Sequence, residues 1–159
     1  MELQGKHVKD SLTVQTNLLM PADMNAAGTL FGGRILSWID MLAGIVAMRH
    51  TDSKVVTAAM DHMDFQYPAY TSDVLTLVGK VTWTGNTSLE IKVESFRENK
   101  GGVKELTNTA YLVMVAVDDE TGRPIPVPPL LVETEEEKAE WEAGVKRAAL
   151  RKQRRKENF

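Results

Sequence analysis

The 159-residue sequence has no cysteine, which removes disulfide staples, thiolate metal sites and cysteine nucleophiles from the candidate chemistry and makes a reducing compartment the natural setting. It has three histidines, and without cysteine these form no zinc-binding pattern. No glycine-rich phosphate loop occurs either. The stretch Met1 to His7 lacks the apolar core of a signal peptide. The longest apolar helix carries Arg34 and Asp40, too polar to span a bilayer. A cytoplasmic, unprocessed chain with no membrane partner is expected. The formal net charge of −3 argues against a nucleic-acid binder, and 43% hydrophobic with 26% charged residues suits one well-packed globular core.

The order of elements follows from changes of hydrophobic period. Leu12 to Leu19 mixes Thr and Val in the manner of a strand. Pro21 ends it, and Pro21 to Gly33, with Gly28, Gly32 and Gly33, predicts a loop. Ile35, Trp38, Ile39, Leu42, Ile45 and Val46 then recur at three- and four-residue steps, predicting a helix from about Gly33 to Arg49. Met41, Ala43, Ala47 and Met48 fill its remaining positions, so the helix is apolar nearly all round and is expected to be enclosed by the rest of the protein. Strands follow at Val55 to Phe65, Val74 to Trp83, Thr87 to Arg97 and Glu105 to Val117. The turn Thr84-Gly85-Asn86 pairs the second and third of these antiparallel. In the third, Leu89, Ile91 and Val93 alternate with Glu90, Lys92 and Glu94, which predicts one face in water. The run Tyr111 to Val117 predicts a central strand covered on both faces. One apolar helix followed by long antiparallel strands is α+β, a curved sheet wrapped around the helix. Ile125 to Pro129 is extended. Thr134 and Glu137 form a capping box for a last helix, acidic first and basic last, expected to be solvated.

Asp40 stands in the middle of the most apolar helix. An unpartnered carboxylate is costly to bury, and desolvation favours the protonated acid, which suits a general base or nucleophile. A solvent channel or hydrogen bonds from a neighbouring subunit would equally explain it. Gly32 and Gly33 fall at the helix N-terminus, where free N–H groups could hold an oxyanion, or where the glycines merely permit a tight turn. Asn25 could donate to the same carbonyl or hold an attacking water, or serve as a turn residue.

The stretch Asn25-Ala-Ala-Gly28-Thr-Leu-Phe-Gly32-Gly33-Arg-Ile-Leu-Ser-Trp-Ile-Asp40 resembles the signature of hot-dog acyl-CoA thioesterases, the group of bacterial short-chain and brain-type cytosolic acyl-CoA hydrolases. The likeness continues through Asp61 to Pro68, Asp73, Thr84 to Ser88 and Gly122-Arg123-Pro124, spanning roughly residues 10 to 130. It implies a thioesterase domain over 1–132 with a charged helix or tail over 133–159. It also implies a homodimer with each site at the interface, and a trimer of such dimers. Carried onto this sequence, Asp40 activates water or attacks the thioester carbon, Gly32 N–H holds the oxyanion, and Asn25 orients the carbonyl or the water. Gly33, Thr57 and the Asn86-Thr87-Ser88 turn are further substrate contacts. Lys80, Arg97, Lys104, Arg123 and the basic run Lys146 to Lys156 are candidates for the CoA phosphates, although such residues also serve solubility or complement a helix end. No metal and no cofactor is implied, CoA being part of substrate and product. His50 fits a helix C-terminal position, and His62, beside Asp61 and Asp64, has no metal-binding partner.

A dehydratase of the same fold would place a histidine in the Asn25 to Asp40 segment, which holds none. A non-catalytic acyl-CoA-binding module of the same fold is the alternative from another class, since fold does not fix function.

Overall fold

The computed structural model describes residues 2–159. The alternating segments form β2 (Thr13–Leu18), β3 (Lys54–Phe65), β4 (Val74–Thr84), β5 (Ser88–Glu98) and β6 (Lys104–Val117). They make one antiparallel sheet in the order β2-β4-β5-β6-β3. Between its two edge strands runs α2 (Gly32–Thr51), about 30 Å long at 1.5 Å per residue. Ile35, Ile39, Leu42, Val46 and Ala47 press onto Leu75, Leu77, Ile91, Val93, Ala110 and Leu112 of the sheet. A Cβ at Gly79 would lie 3.0 Å from Val46 and 3.3 Å from Leu42, so glycine there lets helix and sheet close up. Four short elements were not foreseen. β1 (Lys6–His7) leads into α1 (Val8–Ser11) and pairs parallel with β7 (Leu130–Leu131), tying the two ends of the core together. The predicted loop before α2 contains a 3₁₀ turn at Pro21–Asp23. No helix among the described residues is long and apolar enough to cross a membrane.

Three expectations need correction. First, α2 is not enclosed. Its inner face is covered by the sheet, but Met41 (56% exposed), Ile45 and Met48 (53%) form an open apolar stripe. The sequence pattern shows that both faces are apolar; it does not say that the rest of the same chain covers both. Second, the polar face of β5 is not left in water, because side chains of α3 (Glu135–Glu157) reach Glu90, which is 0% exposed, and Lys92, leaving the strand's later residues only partly exposed.

Third, α3 is not simply solvated. Arg147 and Arg151 bond Glu90 at 2.7 and 3.0 Å, while Arg151 and Arg154 bond Asp61 of β3 at 2.9 and 2.6 Å. The Arg147 guanidinium stacks 3.8 Å from the Tyr111 ring, and Trp141 packs beside Trp83. Lys92 joins Glu140; burial alone would lower the lysine's pKa, but this carboxylate outweighs it and raises the pKa. The basic residues that would end a free helix are therefore pinned to acids of the sheet. Thr134 caps α3 as expected, its Oγ1 accepting from Glu137 N at 3.1 Å.

His50 also departs from expectation. It is fully buried, with Nε2 2.8 Å from the Pro128 carbonyl and Nδ1 unpartnered. A neutral ring donating from Nε2 satisfies this arrangement, whereas a charged ring would bury a second N–H with no acceptor. Burial accordingly holds its pKa below the ordinary value, the Pro128 bond opposing only in part.

Two stability experiments follow from these contacts. His50 contributes stability above about pH 6.5, the unfolded value, which is lost as pH falls through its lower folded pKa. The thermal midpoint should therefore drop between about pH 7 and 5, and His50→Gln, which keeps a donor for Pro128, should flatten that slope. Glu90→Ala leaves Arg147 without an acid and Arg151 with Asp61 alone, and denaturant titration should show a loss of about 3–5 kcal/mol.

Candidate active site

The residues of interest lie at two levels along α2. At its start, the loop from Met20 to Phe31 is folded on itself. Asn25 N donates to Thr29 O, Gly28 N to Asn25 O, and Leu30 N to Ala69 O at 2.8 Å. Gly28 has φ +79°, a conformation that costs glycine nothing. The Asn25 side chain takes part, Oδ1 accepting from Ala27 N and Thr29 N while Nδ2 donates to Thr29 Oγ1 at 2.9 Å. One Nδ2 hydrogen remains for another acceptor. The turn role and the proposed carbonyl-directing role therefore coexist at Asn25, because the first uses Oδ1 and only half of the NH₂. Thr29, not singled out in the sequence, is the residue that holds this amide.

The amides of Arg34 and Ile35 close on Phe31 O at 2.9 and 3.2 Å, leaving those of Gly32 and Gly33 as the open donors of the first turn. A Cβ at Gly32 would find only the Phe65 ring, at 3.9 Å, whereas one at Gly33 would strike the Phe31 ring at 2.6 Å. Phe65 ends β3, so the open amides stand beside the sheet's edge strand.

Two turns further along, Asp40 projects from the open face of α2. Thr57 Oγ1 of β3 donates to its Oδ1 at 2.7 Å, leaving Oδ2 free. The β3 register slips between Thr57 and Ala59 and again between Met60 and His62. Bulges of this kind re-aim side chains. Thr57 thereby faces the helix, opposite Met114, while Asp61 turns outward to the α3 arginines. Asp40 was expected to be buried, yet it is exposed in the single chain. The same open face of α2 carries the apolar stripe around it.

Other expected contacts fall elsewhere. The Asn86-Thr87-Ser88 turn lies near the far end of α2, where Asn86 O accepts from Val127 N and Thr87 O from Ala116 N. It is not brought near Gly32 within one subunit. Arg97 is occupied. Its Nε bonds Glu105 at 2.8 Å and its NH1 the Pro68 carbonyl at 3.1 Å, with Asp73 at 3.5 Å and the Tyr70 ring beside it. It thus braces the 66–73 segment, which in turn holds Leu30 and the start of α2. Lys80 pairs with Glu136 at 3.7 Å. Lys104 and Arg123 are exposed, Arg123 on the turn after β6. His62 bonds only Asp64, at 3.1 Å, and no group of three potential metal ligands occurs among the described residues.

A helix lying on an antiparallel sheet, with open N-terminal amides and a hydroxyl-anchored carboxylate, defines a hydrolase-like site on the hot-dog fold. Residues 27–104 match the family model described as the thioesterase superfamily. An uncharacterized acyl-CoA thioester hydrolase of Bacillus subtilis is 41% identical over 154 residues, which cover 96% of this chain and 89% of that one. A hexameric acyl-CoA thioesterase solved without ligand superposes with a TM-score of 0.92 at 45% identity, covering 96% and 97% of the two chains. The acyl-CoA hydrolase of Staphylococcus aureus, solved with butyryl coenzyme A and coenzyme A, gives 0.90 at 35% identity over 96% and 93%. The chain belongs to the thioesterase superfamily and, within it, to the acyl-CoA thioester hydrolase family. Variants of the S. aureus enzyme have been solved with alanine replacing an Asn, an Asp and a Thr at successive separations of fifteen and seventeen residues. Asn25, Asp40 and Thr57 have the same separations here.

Because Gly32 has space for a Cβ and no left-handed φ, Gly32→Ala should keep the fold and raise stability by about 0.4–1 kcal/mol in a denaturant titration.

Proposed function

We propose that this protein hydrolyses acyl-CoA thioesters to a free acid and CoA, in a site completed by two copies of the chain. The observation that carries the proposal is the separation of its two chemical groups. Asp40 lies eight residues beyond Gly32 on one rigid helix, about 12 Å along the axis. A carbonyl held at Gly32 N–H is beyond the reach of the same subunit's carboxylate, whereas a second copy can supply its own Asp40. The surface for that copy is present. β3 is an edge strand of 12 residues with an unpaired side, and next to it lie Val56, Met60 and Phe65 (60% exposed) and the Met41, Ile45, Met48 stripe. A long apolar edge of this kind is a template for pairing with another chain. The hexameric neighbour supports assembly of such dimers in threes.

In the proposed reaction, the thioester carbonyl accepts hydrogen bonds from Gly32 N–H and from the spare Asn25 Nδ2 hydrogen. Asp40 Oδ2 of the second copy takes a proton from water as the water oxygen attacks the carbonyl carbon. The charge that develops on the carbonyl oxygen is stabilised at the helix N-terminus. Collapse breaks the C–S bond, and the departing thiolate recovers the proton. In the alternative route Oδ2 attacks directly and water then cleaves the anhydride; ¹⁸O from water entering Asp40 in a single turnover would identify that route. Thr57 fixes Oδ1 in either case. Neither route requires a metal or other cofactor, and the proposed compartment is the cytoplasm.

The experiment is thiol release from acetyl- to palmitoyl-CoA. Asp40→Ala and Asn25→Ala should each lower kcat/KM by on the order of 10²-fold while remaining folded. Refolding the two variants together tests the shared site. Each mixed dimer then holds one intact site, so activity should return to about one quarter of wild type. No recovery would place both residues in one subunit's site, and tight acyl-CoA binding without turnover would replace the enzyme by a ligand-binding module.

A further inference from the structure

A cavity of about 250 Å³ opens beside the start of α2, lined by Leu30, Ile35, Phe65, Thr107, Asn108 and the 66–69 segment. Two of its walls are parts of the proposed site. Phe65 is the group nearest the Gly32 Cβ position, and Thr29, also in the lining, is bonded to Asn25. An acyl group whose carbonyl lies at Gly32 has this cavity within reach. At ~30 Å³ per water-sized group the space holds roughly eight such groups, which suits a short acyl chain.

Thr29, Gln66, Tyr67 and Thr107 also line it, but only Asn108 combines full burial with an unpartnered side-chain donor. Asn108 is 0% exposed and lies on the helix-facing side of β6, paired with Ser95 across β5 and with Phe65 across β3. Its Oδ1 accepts from Ser95 Oγ at 3.1 Å, so the NH₂ limb of the planar amide is turned away from Ser95, towards the β3 side. Its Nδ2 has no partner among the described residues. The opposite amide orientation is worse. It would leave the buried Ser95 hydroxyl hydrogen and the Asn108 oxygen both unpaired. Thr107 does not supply the missing acceptor: its hydroxyl lies on Ser95 O, to which it donates at 2.9 Å, and makes no bond to Asn108. A buried amide donor left unpaired costs about 1–3 kcal/mol, so a ligand atom that accepts from it is favoured over a methylene.

We propose, on the footing of the thioesterase function above, that Asn108 is a specificity residue selecting short acyl-CoAs whose acyl chain carries an oxo or hydroxyl oxygen. A carboxylate in the same place is disfavoured. Arg97, which reaches the cavity-lining Pro68 through its carbonyl, is already committed there and to Glu105, and an unpaired charge is costly to bury.

The test compares kcat/KM for acetoacetyl-, 3-hydroxybutyryl- and butyryl-CoA, each divided by the rate at which hydroxide alone cleaves the same thioester, which removes intrinsic reactivity. The normalised ratio of oxygenated to plain substrate should be about tenfold or more in the wild type. It should fall to near one in Ser95→Ala/Asn108→Leu, a pair chosen so that no hydroxyl is stranded. If the double variant fails to fold, the wild-type ratio decides alone. A wild-type ratio near one, as expected if only an ordered water satisfies Asn108, overturns the selectivity and leaves the thioesterase function standing. No turnover of any of the three overturns the selectivity, and the thioesterase function falls with it only if acetyl- to palmitoyl-CoA are inert as well.

Discussion

The rest of the structure depends on the rigidity of α2. A helix advances 1.5 Å per residue whatever its side chains, so Gly32 and Asp40 cannot approach one another. If both act on one carbonyl, two helices must be brought side by side. That requirement accounts for features that would be faults in a self-sufficient monomer. The helix keeps methionines and an isoleucine on its outer face, the longest edge of the sheet is left unpaired, and a carboxylate stands in the middle of the apolar stripe. Each is a cost in the single subunit and a contact in a pair.

The supports behind the two chemical groups are of different kinds. The helix N-terminus is held from below by Arg97, whose bonds to Glu105 and the Pro68 carbonyl fix the segment to which Leu30 is tied. Asp40 is held from the side by Thr57, on a strand whose two bulges send consecutive functional side chains to opposite faces. The second bulge delivers Asp61 to Arg151 and Arg154, so α3 grips the same edge strand that carries Thr57. Buried ion pairs are poor sources of net stability, but their geometry is demanding, and here it fixes where the edge strand lies.

Much of this was legible in the residues. Periods of two and of 3.6 located every long strand and α2, and the capping box located α3, because these signals are local and repeat many times. The Asn25 to Asp40 stretch, through its resemblance to the thioesterases, pointed to the candidate site. What remained illegible is tertiary. Alternation in β5 showed a polar face, but nothing in Glu90 itself says that two successive turns of a distant helix will bring arginines to it. A fully apolar helix looks the same whether its second cover is the same chain or another. His50 followed the helix like a basic end residue, and only the return of Pro128 over it shows a neutral, buried ring. β1 and β7 are two residues each, too short for any period to register.

The arrangement also bears on why Thr57 is a threonine. A carboxylate on an open helix face swings through its rotamers and presents either oxygen to water. One hydroxyl bond to Oδ1 selects a rotamer and leaves Oδ2 with its lone pairs directed away from the strand. Serine offers the same bond from a freer side chain. The β-branched residue adds the restricted χ1 that suits a strand, so the donor is already pointed before the bond forms. The selection matters most once a second chain covers the stripe. Water then no longer compensates a misplaced oxygen, and a donor fixed in advance avoids paying the ordering entropy during turnover. In the proposed mechanism Thr57 therefore belongs with the machinery that readies Asp40, although the substrate need never touch it.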